Sequence, residues 1–145
     1  MMEDSVLKKK YVIATFISVL VMFGLSYLWH GILLTDFSRI QIPFNIFLSL
    51  LFSAYFGISL LLLIVIKSKI LTISLESKGF LSGMALGLII YLVALTLGFS
   101  FNNSELKSQS MLDMFWQMFE QGVGGYIIGK ICHIAQHIEE RQLED

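Results

Sequence analysis

The sequence is short of charge, of cysteine and of proline, and each shortage excludes something. Charged residues make up 14% of its 145 residues, against about 25% in a typical soluble domain. That is too little to coat a water-facing surface. Ten basic and eleven acidic residues leave a formal net charge of −1, and no basic stripe is interleaved with aromatics, so nucleic acid is excluded as a partner. The single cysteine, Cys132, rules out an internal disulfide framework and says nothing of redox compartment. The single proline, Pro43, leaves the long apolar blocks free of a helix breaker. There is also no G-x-S-x-G elbow, no P-loop and no dinucleotide fingerprint. No cofactor is expected, and an enzyme is the weaker reading because no nucleophile pairs with a base.

What the sequence has is apolar blocks. Residues 11–34, 44–66, 79–100 and 111–131 each approach or exceed the ~20 helical residues that cross a bilayer core about 30 Å thick. They lack the alternation of barrel strands, and open strands cannot satisfy their backbone in lipid. The sequence therefore predicts an all-α polytopic membrane protein, a four-transmembrane-helix bundle forming a single domain over 1–145 with a tail at 132–145. The first block follows Lys8-Lys9-Lys10 like a signal peptide, but its apolar run continues to Leu34, beyond the usual 7–15-residue core. It is expected to be retained.

Charge predicts the orientation. With the N-terminus inside, Lys8, Lys9, Lys10, Lys67, Lys69, Lys78, Lys130 and Arg141 are cytoplasmic, and only Arg39 and Lys107 lie outside. That bias places both termini in the cytoplasm, in a multi-pass protein of the cell membrane, with a bacterial inner membrane as the expected location. The outer loops are then 35–43 and 101–110, and the inner one 67–78. Asn102 formally satisfies a glycosylation sequon, which means nothing outside a eukaryotic secretory route.

Small residues predict packing. Gly79, Gly83 and Gly87 repeat every fourth position, and Gly125 and Gly129 share that spacing. Such GxxxG faces let helix backbones approach closely in lipid. The third and fourth helices are expected to pack together there, with a homodimer face as the competing reading.

The fourth block carries the chemistry. At 100° per residue, Asp113, Gln117, Glu120, Gln121 and Gly124 share one arc. Glu120 falls near the membrane midplane, where an ionisable group costs roughly 2.5–3.5 kcal/mol and faces a cavity or a partner. No basic residue reaches that depth. Tyr55 and Tyr91, counted from the outer ends of their helices, are the best partners, with Ser49 and Ser53 nearby. Glu120 is either polar glue or a carboxyl that binds a proton or ligand. His30 lies about four residues inside the outer end of the first helix, in the outer half with Asp113 and Gln117, below Asp36 and Arg39. It is either an interfacial histidine or one wall of a polar vestibule; Trp29 and Tyr27 read as interfacial aromatics.

His133 and His137 stand at i and i+4, but Ile134 occupies the place of the glutamate in H-E-x-x-H. Two ligands do not make a metal site, so none is expected; with Lys130 and Arg141 they read as a basic collar toward lipid headgroups.

The "LWHGILL" ending of the first helix resembles the W-Y-G-x-L-F ending of a family of small, uncharacterised, four-helix bacterial integral membrane proteins. "GFLSGMALGLIIYLVAL" and "GVGGYIIG" are similar to that family's glycine-rich third and fourth helices. His30 replaces the family's aromatic, and "TDF" replaces the residues that follow. The resemblance implies the four-helix topology and no activity. Two functions stay open. One is a small membrane protein binding a polar or amphiphilic ligand, or a proton, in an outward-facing pocket on His30, Tyr55, Tyr91, Asp113, Gln117 and Glu120. The other is an accessory or structural subunit with no site of its own. Membrane lipid is the expected partner in either case, with a homodimer or a larger membrane complex left open.

Overall fold

The computed structural model describes residues 2–34, 42–68, 72–101 and 109–144. The 35–41 turn with Asp36 and Arg39, Lys69, and the 102–108 stretch with Asn102 and Lys107 lie outside the described residues. Each apolar block becomes a helix, which satisfies its backbone within the segment. α1 spans Met2–Ser26, α2 Phe44–Lys67, α3 Leu75–Phe101 and α4 Gln109–Glu144. Among the described residues there is no strand. α1 does not stop at Ser26 but continues as a π-helix over Tyr27–Leu33, closed by the Leu34 amide donating to the Trp29 carbonyl at 2.9 Å.

The helix ends follow local chemistry. Pro43 precedes α2, and its carbonyl accepts from the amides of Ile46 and Phe47, both at 3.0 Å. Ser74 opens α3: its hydroxyl accepts from the Ser77 amide at 3.3 Å, as an N-capping serine does.

The helices alternate in direction. Phe16 meets Phe56 and Phe23 meets Phe52 between α1 and α2. Ser18 faces Gly124 and Trp29 faces Asp113 between α1 and α4. The closest pairing is α3 on α4. A methyl group added to Gly79 would strike the Gly125 backbone, one on Gly83 the Gln121 backbone, and one on Gly87 would sit 2.6 Å from the Gln117 carbonyl oxygen. The two backbones touch along three turns, which only glycine at those positions permits.

The exterior is apolar, and the interior mixes apolar clusters with polar side chains. Thr15, Ser18, Ser26, Ser59, Glu120 and Gln121 are buried, whereas Leu20, Leu50, Ile64 and Ile89 remain more than half exposed (59%, 60%, 65% and 57%). At roughly 25 cal/mol per Å², such an apolar exterior is unfavourable in water and favourable in lipid.

Among the described residues, three helical segments are long and apolar enough to cross a membrane: Lys9–Leu33, Phe44–Lys67 and Leu75–Thr96. The fourth expected span does not qualify. Asp113, Gln117, Glu120, Gln121 and the glycines at 122, 124, 125 and 129 dilute its apolar character. Past residue 131, where the expected span ends, α4 stays helical to Glu144.

The glycine contacts predict opposite outcomes at two kinds of position. Gly83→Ala should lower the thermal midpoint of the purified protein in detergent, at a cost of about 1–3 kcal/mol, because the added carbon overpacks backbone against backbone. Gly57 has nothing within 4 Å of its absent side chain, so Gly57→Ala should be neutral or stabilising by up to about 1 kcal/mol through helix propensity.

Candidate functional site

A buried polar seam runs through the bundle, built from the inner faces of α1, α2 and α4. At its lower end the Ser59 hydroxyl donates to Ser18 at 3.3 Å, and Ser18 donates to the Gly124 carbonyl at 3.0 Å. Met22 packs where a side chain on residue 124 would sit, so Gly124 is what lets α1 close on α4. These contacts bring Tyr55 of α2 and Glu120 of α4 to one level.

Glu120 and Gln121 are fully buried. The Gln121 side-chain amide donates to Glu120 Oε1 at 3.2 Å. The Tyr55 hydroxyl interacts with both Glu120 and Ser26, and the Trp116 indole interacts with Glu120. The set is nevertheless incompletely paired. Glu120 Oε2, Gln121 Oε1 and Trp116 Nε1 each lack a partner at hydrogen-bonding distance and angle. A buried unsatisfied polar group costs about 1–3 kcal/mol, so three adjacent ones mark a place where the polarity has a use.

Above Glu120 the two tryptophans of the chain stack, with centroids 4.5 Å apart and planes 12° from parallel. Trp29 comes from the π-helix, and its indole N–H donates to Asp113 Oδ1 at 3.0 Å. Trp116 leans on Phe119, at 5.7 Å. A π-helix turns side chains away from the direction that an α-helix would give them, and such segments are frequent at functional sites. Here the change delivers Trp29 onto α4. Asp113 thus anchors a two-tryptophan lid whose lower member touches Glu120.

The expected site residues divide by register. Tyr55 and Glu120 meet, and Asp113 joins them through the tryptophans. Gly83 faces Gln121 and Gly87 faces Gln117, so Tyr91, one turn further along α3, lies level with Asp113, about 10 Å along the axis from Glu120. Gln117 and His30 are half-buried; Gln117 lies on the turn between Asp113 and Glu120, and His30 follows Trp29 in the π-helix, with an interaction of its own. Trp29, Trp116, Ser26 and Gln121 complete the cluster. The sequence offered one signal for the first two: they are its only tryptophans.

At the opposite end, His133 Nδ1 contacts Glu76 Oε1, tying α4 to the start of α3. The His133 and His137 rings lie 4.9 Å apart, and among the described residues no three His, Cys, Asp or Glu side chains form a metal-binding group. Comparison with family models, with curated proteins and with solved structures finds no match for the chain.

The tryptophan stack gives a direct spectroscopic prediction. Wild-type protein should show the paired positive and negative circular dichroism bands of two coupled indoles. Trp29→Phe and Trp116→Phe should each abolish them. Asp113→Ala should weaken them and lower the thermal midpoint, at a cost of about 1–3 kcal/mol for the lost charge-assisted hydrogen bond.

Proposed function

We propose that the chain is a four-span membrane protein whose working group is the Glu120 carboxyl, which exchanges a proton or a small polar ligand with the outer face. The observation that carries this reading is the incompletely paired trio of Glu120 Oε2, Gln121 Oε1 and Trp116 Nε1, buried together at the inner edge of the tryptophan stack. The Tyr55 hydroxyl and the Trp116 indole both approach the carboxyl without closing a full hydrogen bond on Oε2, an arrangement suited to a carboxyl that takes up a proton or a small hydrogen-bond donor.

The fourth span rests on geometry. α4 runs beside Lys9–Leu33 and Leu75–Thr96 from Asp113 to Gly129, so it shares their depth. Its outward residues are apolar: Met111, Leu112, Phe115, Phe119 and Tyr126 are exposed, while Glu120, Gln121 and Gly124 face inward. A helix with this division can present hydrocarbon to lipid although its mean composition is mixed. Eight of the ten Lys and Arg residues then mark the side of both termini as cytoplasmic, and the lid opens toward the opposite, outer face. In this setting the resemblance of "LWHGILL" and the glycine-rich helices to small bacterial membrane proteins supports a cell-membrane location.

A structural role is the second reading, and one observation favours it. Tyr55, Ser18 and Glu120 link α1, α2 and α4, as polar glue in a bundle does.

Infrared spectroscopy and carbodiimide labelling separate the two. An exchanging carboxyl should give a protonated-acid carbonyl band that titrates with pH, and a mass adduct on Glu120 with an apolar carbodiimide. Both should vanish in Glu120→Gln, with the indole bands intact as evidence of folding. Absence of both signals from folded wild-type protein overturns the exchange reading and leaves Glu120 as a tie between helices.

A further inference from the structure

A second site lies at the other end of the bundle, where α1, α2, α3 and α4 converge. There a cavity of about 390 Å³ opens between the end of α2 and the start of α3. Its polar wall is formed by Lys67, Ser68, Thr72, Lys78 and Gln136, and its floor by Ile66 and Leu75. Among the described residues lining it there are two lysines and no carboxylate. The nearest acid of α3, Glu76, is taken up by His133.

The lysines are held in place, not loosely displayed. Lys78 is only 2% exposed, and its ammonium donates to the Ser68 carbonyl. That uses one of three protons. The Lys67 ammonium sits over the Tyr11 ring, 4.3 Å from its centroid. Burying an ammonium without a counter-charge is costly, so an anion is what this cavity lacks. The Thr72 hydroxyl and the amide of Gln136 add neutral donors, a combination suited to a phosphate oxyanion.

Position identifies the source. Lys67 ends one candidate span, Leu75 begins the next and Lys9 begins the first, so the cavity lies at the boundary between hydrocarbon and water. Lys78 lies about one turn of α3 inside that boundary and reaches back to Ser68. Basic pockets between spanning helices on the cytoplasmic side take anionic lipid headgroups. We propose that this cavity binds a phosphate group presented by the headgroup of an anionic phospholipid. The site is independent of Glu120, and its depth follows from the ends of the three spans alone.

The test uses the full chain in a neutral detergent, with binding read by native mass spectrometry and by the thermal midpoint. The probes are short-chain phosphatidylglycerol, short-chain phosphatidylcholine and inorganic phosphate. Phosphatidylglycerol should bind and raise the midpoint, and phosphatidylcholine should bind much more weakly. Lys67→Gln should weaken phosphatidylglycerol binding about fivefold, the effect of one basic residue near a charged membrane surface. Lys78→Met should weaken it at least as much. Lys130→Gln, on the exposed face of α4 over Tyr126, should weaken it measurably less than Lys67→Gln does.

The indole bands report whether each variant is folded. Lys67, being exposed, keeps the test decisive even where Lys78→Met fails to fold. Binding of inorganic phosphate as tight as that of the lipid, and lost in the same variants, would keep the phosphate site but overturn the lipid as its source. Equal binding by wild-type protein and folded Lys67→Gln, or equal weakening by Lys130→Gln, overturns the site.

Discussion

The bundle depends on the contact between the backbones of α3 and α4. Lipid supplies no hydrophobic force between helices, so association must come from close packing and polar contacts. Gly79, Gly83 and Gly87 provide that closeness by letting α4 lie where side chains would otherwise stand. The contact also fixes register, because a glycine ladder fits its partner at one offset and clashes at the next. Once α4 is locked to α3, the depths of Asp113, Gln117 and Glu120 follow. α1 is then drawn onto the remaining face of α4 by Ser18, Met22 and Gly124.

This arrangement explains how an acid can be accommodated inside. α4 directs Glu120, Gln121 and its glycines inward and Phe115 and Phe119 outward, so its polarity is hidden by the three apolar spans. The interior consequently holds a polar seam between apolar clusters around Leu62, Ile66 and Ile128 and around Val19 and Met22. Its serines find partners within the seam, and the lone carboxyl does not find enough. The π-helix belongs to the same economy: it turns Trp29 onto α4, where Asp113 fixes the indole and Trp116 passes the contact down toward Glu120.

Much of the fold is legible in the sequence because the bilayer imposes a length and an apolar character on whatever spans it. The helix positions of α2 and α3 can be read within a few residues. The mixed character of α4 is harder, because a count over the whole helix averages two faces that see different surroundings. Within the site, the level of Tyr55 and Glu120 is recoverable by counting from helix ends, since both lie in regular helices. Tyr91 is misplaced by the same counting, because the register of α3 on α4 is set by glycine contacts and not by where the apolar run ends. Trp29 is explained too readily as an interfacial aromatic. Nothing in "YLWHGIL" announces a π-helix, and without that shift the stack on Trp116 has no reason to form.

The two ends of the bundle are polar for different reasons, and that difference bears on function. At one end the charges are lysines, held by a carbonyl and a ring and short of an anion. In the interior the group is a carboxyl, held by the Gln121 amide, the Tyr55 hydroxyl and the Trp116 indole. The lysines cannot serve Glu120, because about four helical turns of α4 separate residue 120 from Gln136, roughly 24 Å along the axis. If the carboxyl existed only to hold helices together, a neutral glutamine would meet the same geometry, and the neighbouring Gln121 shows that the position tolerates an amide beside it. What a glutamine cannot do is gain and lose a proton. The distinction between glue and working group therefore rests on a single atom, Glu120 Oε2, and on whether it changes state under the tryptophan lid.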